Sequence, residues 1–311
     1  MIDLHVHSCK SDGTLSPSEL VAYAQQKGLS AFALTDHDTI DGLAEALLTL
    51  RNMRKECSDI PCREVIPGIE FSTEYHGKDV HMVGLYIDFL SRSFQKQLEE
   101  FVDSRELRNQ KMCNKLHDEG GIDISYEALI AEFPDAVITR LQFAQYLYTH
   151  GVTKSIKEGF DRFVGDHCKY FVPREKVTPV QAIQLILESG GIPILAHPVL
   201  YGFGKETLAS LVEELKNAGL VGIEAIYCTY TNKDEWEIRN LAKQYDLCIS
   251  GGSDFHGASK PGLDLGTGYG KLVVPDELLT ELKNHLPSHS KFRTQEIHFD
   301  NDGNPYWNAD S

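Results

Sequence analysis

Apolar and polar positions along the chain fall into short runs that switch between two periods. Ile2-Asp3-Leu4-His5-Val6 reads as a strand. Ser16-Pro17-Ser18-Glu19 is a capping box with proline at the first helical position, and it predicts a helix that stops at Gly28. Ala31-Phe32-Ala33-Leu34-Thr35 is a continuous apolar run, as expected of a strand buried on both faces. The pattern then predicts a helix over 41–55 and strands over 64–71 and 79–87. A second capping box, Thr178-Pro179-Val180-Gln181, opens a helix that ends at Gly190-Gly191. Strands over 192–196, 221–226 and 247–250 alternate with helices over 205–217 and 233–244. This βα rhythm predicts a parallel α/β architecture, closed or nearly closed into a barrel.

Residues 95–168 break the rhythm. The spacing predicts a long charged helix over 94–116 and shorter ones over 141–150 and 156–163. The expected division is a barrel from 1–94 and 169–290, a helical insertion 95–168 over its mouth, and a tail 291–311. The plainer alternative for the insertion is a bundle of crossover helices. Asp300-Asn301-Asp302-Gly303-Asn304 resembles the start of a calcium loop but lacks the closing glutamate, so a turn is expected.

Composition narrows the function classes. The chain has 311 residues, 41% of them hydrophobic, enough for a full-sized core. No apolar run approaches the roughly 20 residues of a membrane span, and no charged-then-apolar leader is visible. Seven cysteines without CxxC spacing read as reduced thiols, so a cytoplasmic location is expected. A formal net charge of −16 disfavours long duplex nucleic acid but not a small anionic substrate. Oligomeric state is not legible.

The chemistry lies where the predicted strands end. His5 and His7 share one face of the first strand, with Asp12 close behind. The second strand ends in Thr35-Asp36-His37-Asp38, the third in Pro67-Gly68-Ile69-Glu70. His81 lies early in the next. His197 follows the strand over 192–196, and Ser253-Asp254-Phe255-His256-Gly257 follows the last. The C-terminal ends of barrel strands converge on one rim. A lone histidine at a strand end is ordinarily a core residue; six of them, with Asp12, Glu70 and Asp254, point to one metal cavity. Asp36 and Asp38 are candidates to orient His37. Nine ligands exceed the needs of one ion and imply two or three. Imidazole and carboxylate donors without thiolate suit manganese, with iron or zinc as alternatives. Clustered cations of this kind suit in-line phosphoryl displacement.

Together these motifs resemble the PHP (polymerase and histidinol phosphatase) phosphoesterases, over nearly the whole chain. The likeness is greatest to the small stand-alone branch of nucleoside 3′,5′-bisphosphate phosphatases and 5′→3′ exoribonucleases. The resemblance implies a distorted (β/α)7, TIM-like barrel with a small helical insertion domain. It implies a trinuclear site with His5, His7, Asp12, His37, Glu70, His81, His197, Asp254 and His256 as ligands, none of them substituted. Asp254, His256 and His37 are the implied catalytic residues, and Glu70 the natural bridge. Arg108, Arg140 and Arg174 stand in patterns like the branch's phosphate contacts, although Leu141-Gln142 replaces a histidine expected just after Arg140. The implied reaction is hydrolysis of a small nucleotide's phosphate monoester, with adenosine 3′,5′-bisphosphate giving AMP and phosphate. The alternatives are 5′→3′ exonuclease action on short oligonucleotides, a histidinol-phosphatase-like activity, and a noncatalytic metal-binding regulatory module.

Overall fold

The computed structural model describes the chain apart from residues 58, 135, 174–176 and 309–311. Its first half contains β1 (Ile2–Val6), α1 (Pro17–Lys27), β2 (Ala31–Leu34), α2 (Leu43–Glu56), β3 (Glu64–Tyr75) and β4 (Lys78–Leu85). The helical stretch that follows contains α3 (Arg92–Asp118), α4 (Tyr126–Glu132), α5 (Arg140–Thr149) and α6 (Ile156–Gly159), with a π turn over Phe160–Val164. Then come α7 (Pro179–Glu188), β5 (Ile192–Leu195), α8 (Lys205–Ala218), β6 (Gly222–Tyr227), α9 (Asn232–Gln244) and β7 (Cys248–Gly252). The chain ends with α10 (Asp276–Asn284) and the hairpin of β8 (Ile297–Phe299) and β9 (Pro305–Trp307).

Strands β1 to β7 form one sheet in chain order. The sheet closes on itself just beyond β7, where Asp254 N–H donates to the His5 carbonyl and His7 N–H to the Phe255 carbonyl, both at 2.9 Å. Gly252 permits that approach, since a Cβ there would lie 2.4 Å from His5 Cβ. The expected distorted seven-stranded barrel is therefore present, but the sheet is mixed. β4 is antiparallel to both neighbours, whereas the other four pairings, β1–β2, β2–β3, β5–β6 and β6–β7, are parallel. The cause is the tight turn at His76-Gly77, both at positive φ, which returns the chain as a hairpin instead of through a crossover helix.

Both faces of β2 are covered. Phe32 and Leu34 pack with Leu20 and Val21 of α1 and Leu43 and Ala46 of α2. Ala31 and Ala33, on the opposite face, join Ile66, Ile192 and Ile194. The helical stretch carries its own core of Met112, Cys113, Leu116, Phe143, Leu147 and Val164, among others. α3 spans the two: Phe94, Leu98 and Phe101 belong to the barrel's core, and Met112 onwards to the second one. Among the described residues, no helix is long and apolar enough to cross a membrane.

Candidate metal centre

The predicted ligands converge because the strands deliver them to one rim. His5 lies on β1 and His7 follows it; the turn after them returns Asp12, with Gly13 N–H donating to the Ser8 carbonyl at 2.9 Å. Gly13 has no substitute there, since a Cβ would sit 2.4 Å from the His7 carbonyl oxygen. His37 follows β2 and bridges to Glu70 on β3. His81 lies early in its strand because β4 runs backwards, so its first half reaches the rim where the parallel strands finish. His197, Asp38 and Asp254 take positive φ, of 24°, 50° and 54°. Such backbone costs about 1–3 kcal/mol per residue and persists where surrounding contacts enforce it.

Glu70, nearly fully buried, sits at the centre. Its Oε1 lies 2.9 Å from His81 Nδ1 and 3.0 Å from His197 Nε2. Its Oε2 lies 3.1 Å from the Nε2 atoms of His5 and His7 and 3.2 Å from His37 Nδ1. Five imidazoles thus face one carboxylate. Among the described residues, potential ligand atoms lie within 4.8 Å of one another in four overlapping groups: His7, Asp12, His37 and His256; His5, His7 and Asp254; His5, Glu70 and His197; His37, Glu70 and His81.

The donor set fits divalent cations. His5 Nε2, His7 Nε2 and His197 Nδ1 are buried without a hydrogen-bond partner, a costly state for a polar atom unless a cation takes the lone pair. The outer nitrogens fix two tautomers. His256 Nδ1 lies 2.8 Å from the Asp254 carbonyl, which can only accept, so Nδ1 carries the proton and Nε2 keeps its lone pair. His5 Nδ1 faces Glu224 Oε1 at 3.1 Å and leaves Nε2 free in the same way. Burial pushes His37 down to about 3 and also lowers His256. Burial would raise Asp12, but His256 and His37 hold it well below the usual carboxylate range. For Asp254 burial is likewise overcome, chiefly by Lys260 and His256. At His37 and His256 this is the neutral imidazole that metal ligation requires; at His5 and His7 burial is outweighed by the surrounding carboxylates, chiefly Glu70 at His5 and Asp254 at His7, which raise both, His7 to about 9, so an ion bound there displaces protons.

The supporting shell differs from expectation at Asp36. Asp36 does not orient His37; it accepts from Ser8 N–H at 2.7 Å and from the Ser8 and Ser11 hydroxyls at 2.6 Å, shaping the loop that carries Asp12. Asp38 accepts from Arg105 Nε at 2.7 Å and Ser72 N–H at 3.1 Å. Sequence reasoning missed Glu224, whose other oxygen takes the His197 N–H at 2.7 Å. A carboxylate inside the apolar run Gly222-Ile223-Glu224-Ala225-Ile226-Tyr227 was the available signal. It also missed Lys260 and Tyr227, both 2.5 Å from Asp254 Oδ2, for which the sequence carries no pattern.

The centre opens into a cleft of about 990 Å³, walled on one side by the helical stretch. Arg108 and Arg140 both line it. Arg140 pairs with Asp79 at 3.1 Å and with Asp166, and Asp79 is held below its usual range, burial being outweighed by Arg140 and Arg108. Arg174 lies outside the described residues. Gln142, in place of the expected histidine, caps α5 through Thr139 N–H at 2.8 Å and donates to the Ser11 carbonyl at 3.2 Å. Thr139 Oγ1 reaches Asp12 Oδ2 at 3.1 Å, so α5 is tied to the ligand loop.

Comparison with known proteins agrees with this geometry. The PHP domain family model matches residues 3–176. A 5′-3′ exoribonuclease of Haemophilus influenzae is 35% identical over 82% of this chain and 89% of its own. A 3′,5′-nucleoside bisphosphate phosphatase of Chromobacterium violaceum is 30% identical over 85% and 90%. A solved structure described as an amidohydrolase from the same organism, with bound sulfate and no metal, superposes with a TM-score of 0.77 at 27% identity, over 92% of this chain and 97% of that one. With the barrel, the histidine–carboxylate rim and these relatives in agreement, the chain belongs to the PHP domain family and is a phosphoric ester hydrolase.

Proposed function

We propose that this metal-dependent phosphoesterase removes a phosphate from a small nucleotide, with adenosine 3′,5′-bisphosphate going to AMP and phosphate as the favoured reaction. The observation that carries the reading is the convergence of five imidazoles on Glu70, beside a cleft walled by Arg105, Arg108 and Arg140. His7, Asp12, His37 and His256 would hold one ion. His5, Asp254, His197 and His81, sharing Glu70, would hold one or two more. Manganese suits these donors, with iron and zinc as alternatives. When bound, such ions acidify water and neutralise phosphoryl charge.

Hydrolysis forms a bond from water oxygen to phosphorus and breaks the bond to the ester oxygen, which leaves with a proton. The chain's own groups orient these events. Lys260 and Tyr227 occupy Asp254 Oδ2, leaving Oδ1 toward His7 at 3.3 Å and His5 at 3.7 Å. The attacking water gives up one proton and the leaving ester oxygen takes one; Asp254, whose Oδ1 faces His5, His7 and His256, is placed to pass a proton between them, while His256 and His37, neutral at their inner nitrogens, would help hold the ion that acidifies the water. Arg108, Arg140 and Arg174 would steady the phosphate that is not cleaved. Insertion 95–168 would serve as the outer wall of the site. All seven cysteines are free thiols, which supports a reducing compartment such as the cytoplasm.

A second reading is 5′→3′ exonuclease action on short oligonucleotides. It is favoured by the volume of the cleft, at the upper end of the roughly 300–1,000 Å³ of small-molecule sites. Product analysis with manganese-loaded protein separates the two. AMP and phosphate from the bisphosphate, with a 5′-phosphorylated RNA pentamer left intact, would establish the phosphatase; stepwise mononucleotides from the pentamer would establish the exonuclease. Arg140→Ala is expected to cost about 2 kcal/mol, or about 30-fold in kcat/KM; an unchanged value would remove Arg140 from the substrate contacts.

A further inference from the structure

The cleft changes character from floor to mouth. Its floor is buried and polar, made of the metal-centre residues. At its mouth stand side chains of a different kind: Tyr148 on α5, 48% exposed, and Tyr269 on the loop after β7, 53% exposed. Neither hydroxyl makes a hydrogen bond among the described residues, so neither ring is held in place by a polar anchor. Leu200, 54% exposed, lies at the same mouth, and Lys154 borders it with no ion pair to any described residue. Deeper in the cleft Arg105, Arg140 and Lys260 each stand beside a carboxylate, Asp38, Asp79 and Asp254.

Large apolar side chains are ordinarily withdrawn from water, and one alone on a surface means little. Two tyrosines from separate parts of the fold, with an uncommitted lysine, on the rim of one catalytic cleft are a different matter. Aromatic faces beside a cation are the chemistry by which proteins hold single-stranded nucleic acid without reading its sequence, the base stacking on the ring and the phosphate meeting the cation. A mononucleotide phosphate bound at the floor has no use for a surface at the mouth. A chain that continues outward does.

Resting on the reading of the floor as a nucleotide phosphoesterase site, we propose that Tyr148, Tyr269 and Lys154 form an outer subsite for the second and third nucleotides of a short single-stranded oligonucleotide. The two rings take the bases and Lys154 the intervening phosphate. The subsite sets chain-length preference: it tightens binding of oligonucleotides and leaves mononucleotides untouched. It is sequence-tolerant, because every base presents a π face.

The test is equilibrium binding to manganese-loaded protein, by competition against a fluorescent oligonucleotide. The two competitors are AMP and a 5′-phosphorylated RNA trinucleotide with phosphorothioate linkages that resist cleavage. The wild-type protein is expected to bind the trinucleotide at least tenfold more tightly than AMP. Tyr148→Ala with Tyr269→Ala should weaken the trinucleotide by tenfold or more and change AMP by less than twofold. Tyr148→Phe with Tyr269→Phe, which keeps both rings, should restore trinucleotide binding. Lys154→Ala should reduce the salt dependence of trinucleotide binding and not that of AMP. Equal affinity of wild-type protein for the two ligands would overturn the proposal, as would alanine variants that bind the trinucleotide normally or lose both ligands in parallel. If the trinucleotide binds as expected while neither bisphosphate nor unmodified oligonucleotide is turned over, the reaction assigned to the floor fails and the subsite stands.

Discussion

The barrel rim and the helical stretch proposed as an insertion, residues 95–168, bury their side chains for opposite reasons. At the rim, histidines and carboxylates are brought together from points far apart in the chain: His5 meets Glu224 across 219 residues, and Glu70 meets His197 across 127. Each such group is costly to bury alone and is tolerated because several others satisfy it. The insertion does the reverse. Met112, Leu116, Phe143, Leu147 and Val164 come from one contiguous stretch and pack as an ordinary apolar core, joined to the ligand loop through Thr139 and Gln142. Chemistry that needs fixed geometry is thus built on the closed sheet. The wall of the cleft rests on an apolar core of its own, and Thr139 brings it against the ligand Asp12.

The sharpest way to break that comparison is to remove the residue on which the rim depends most. Glu70→Gln withdraws the charge that five imidazoles share, so metal content should fall below one ion per chain and phosphoesterase activity to background. Glu224→Gln, one step further out, should lower metal affinity by about 10–100-fold, as expected for a carboxylate that orients a ligating histidine. Elemental analysis and metal titration of both variants measure this. If Glu70→Gln keeps its metals, the rim is not the shared centre that its distances indicate.

The insertion should respond to packing instead. Phe143 is fully buried in the second core, and Phe143→Ala should cost about 3–5 kcal/mol there. If the two cores are separable, amides of α5 will exchange faster while those of β2 and β6 keep their protection, and the metal content will be unchanged. Uniform acceleration through barrel and insertion would mean that the two unfold as one unit.

The same contrast explains what was legible beforehand. Metal-binding residue types at successive strand ends mark the rim even without knowledge of the fold, because few other constraints place six histidines at such positions. Strand direction was not legible: apolar alternation is identical for parallel and antiparallel strands, so β4 reads like the others, and only the position of His81 early in its strand hinted at reversal. Glu224 hid inside an apolar run. Arg105 stands three residues before Arg108 in a charged helix, and nothing in the spacing marks it as the partner of Asp38. α4, α10 and the β8–β9 hairpin lie outside the predicted set because short elements leave too few periods to register.

The smallest expected effect is also the most direct comparison of the two cores. Cys113 lies in the insertion's core and Cys62 in the barrel's. Burial pushes the Cys113 thiol up to about 12 and the Cys62 thiol up to about 11. At pH 8 both are therefore protonated in the closed protein, and neither should react with an alkylating reagent until local opening returns it to the ordinary thiol range near about 8.5. The labelling rate then reports the opening free energy, a factor of ten for each 1.4 kcal/mol. The insertion is held by a smaller core, so Cys113 should label about ten times faster than Cys62, with exposed Cys57 reacting first as the internal reference. Phe143→Ala should speed Cys113 further and leave Cys62 alone. Equal rates at Cys113 and Cys62, unchanged by Phe143→Ala, would show that the wall opens only when the barrel does, and the substrate cleft would then have to be treated as one rigid piece.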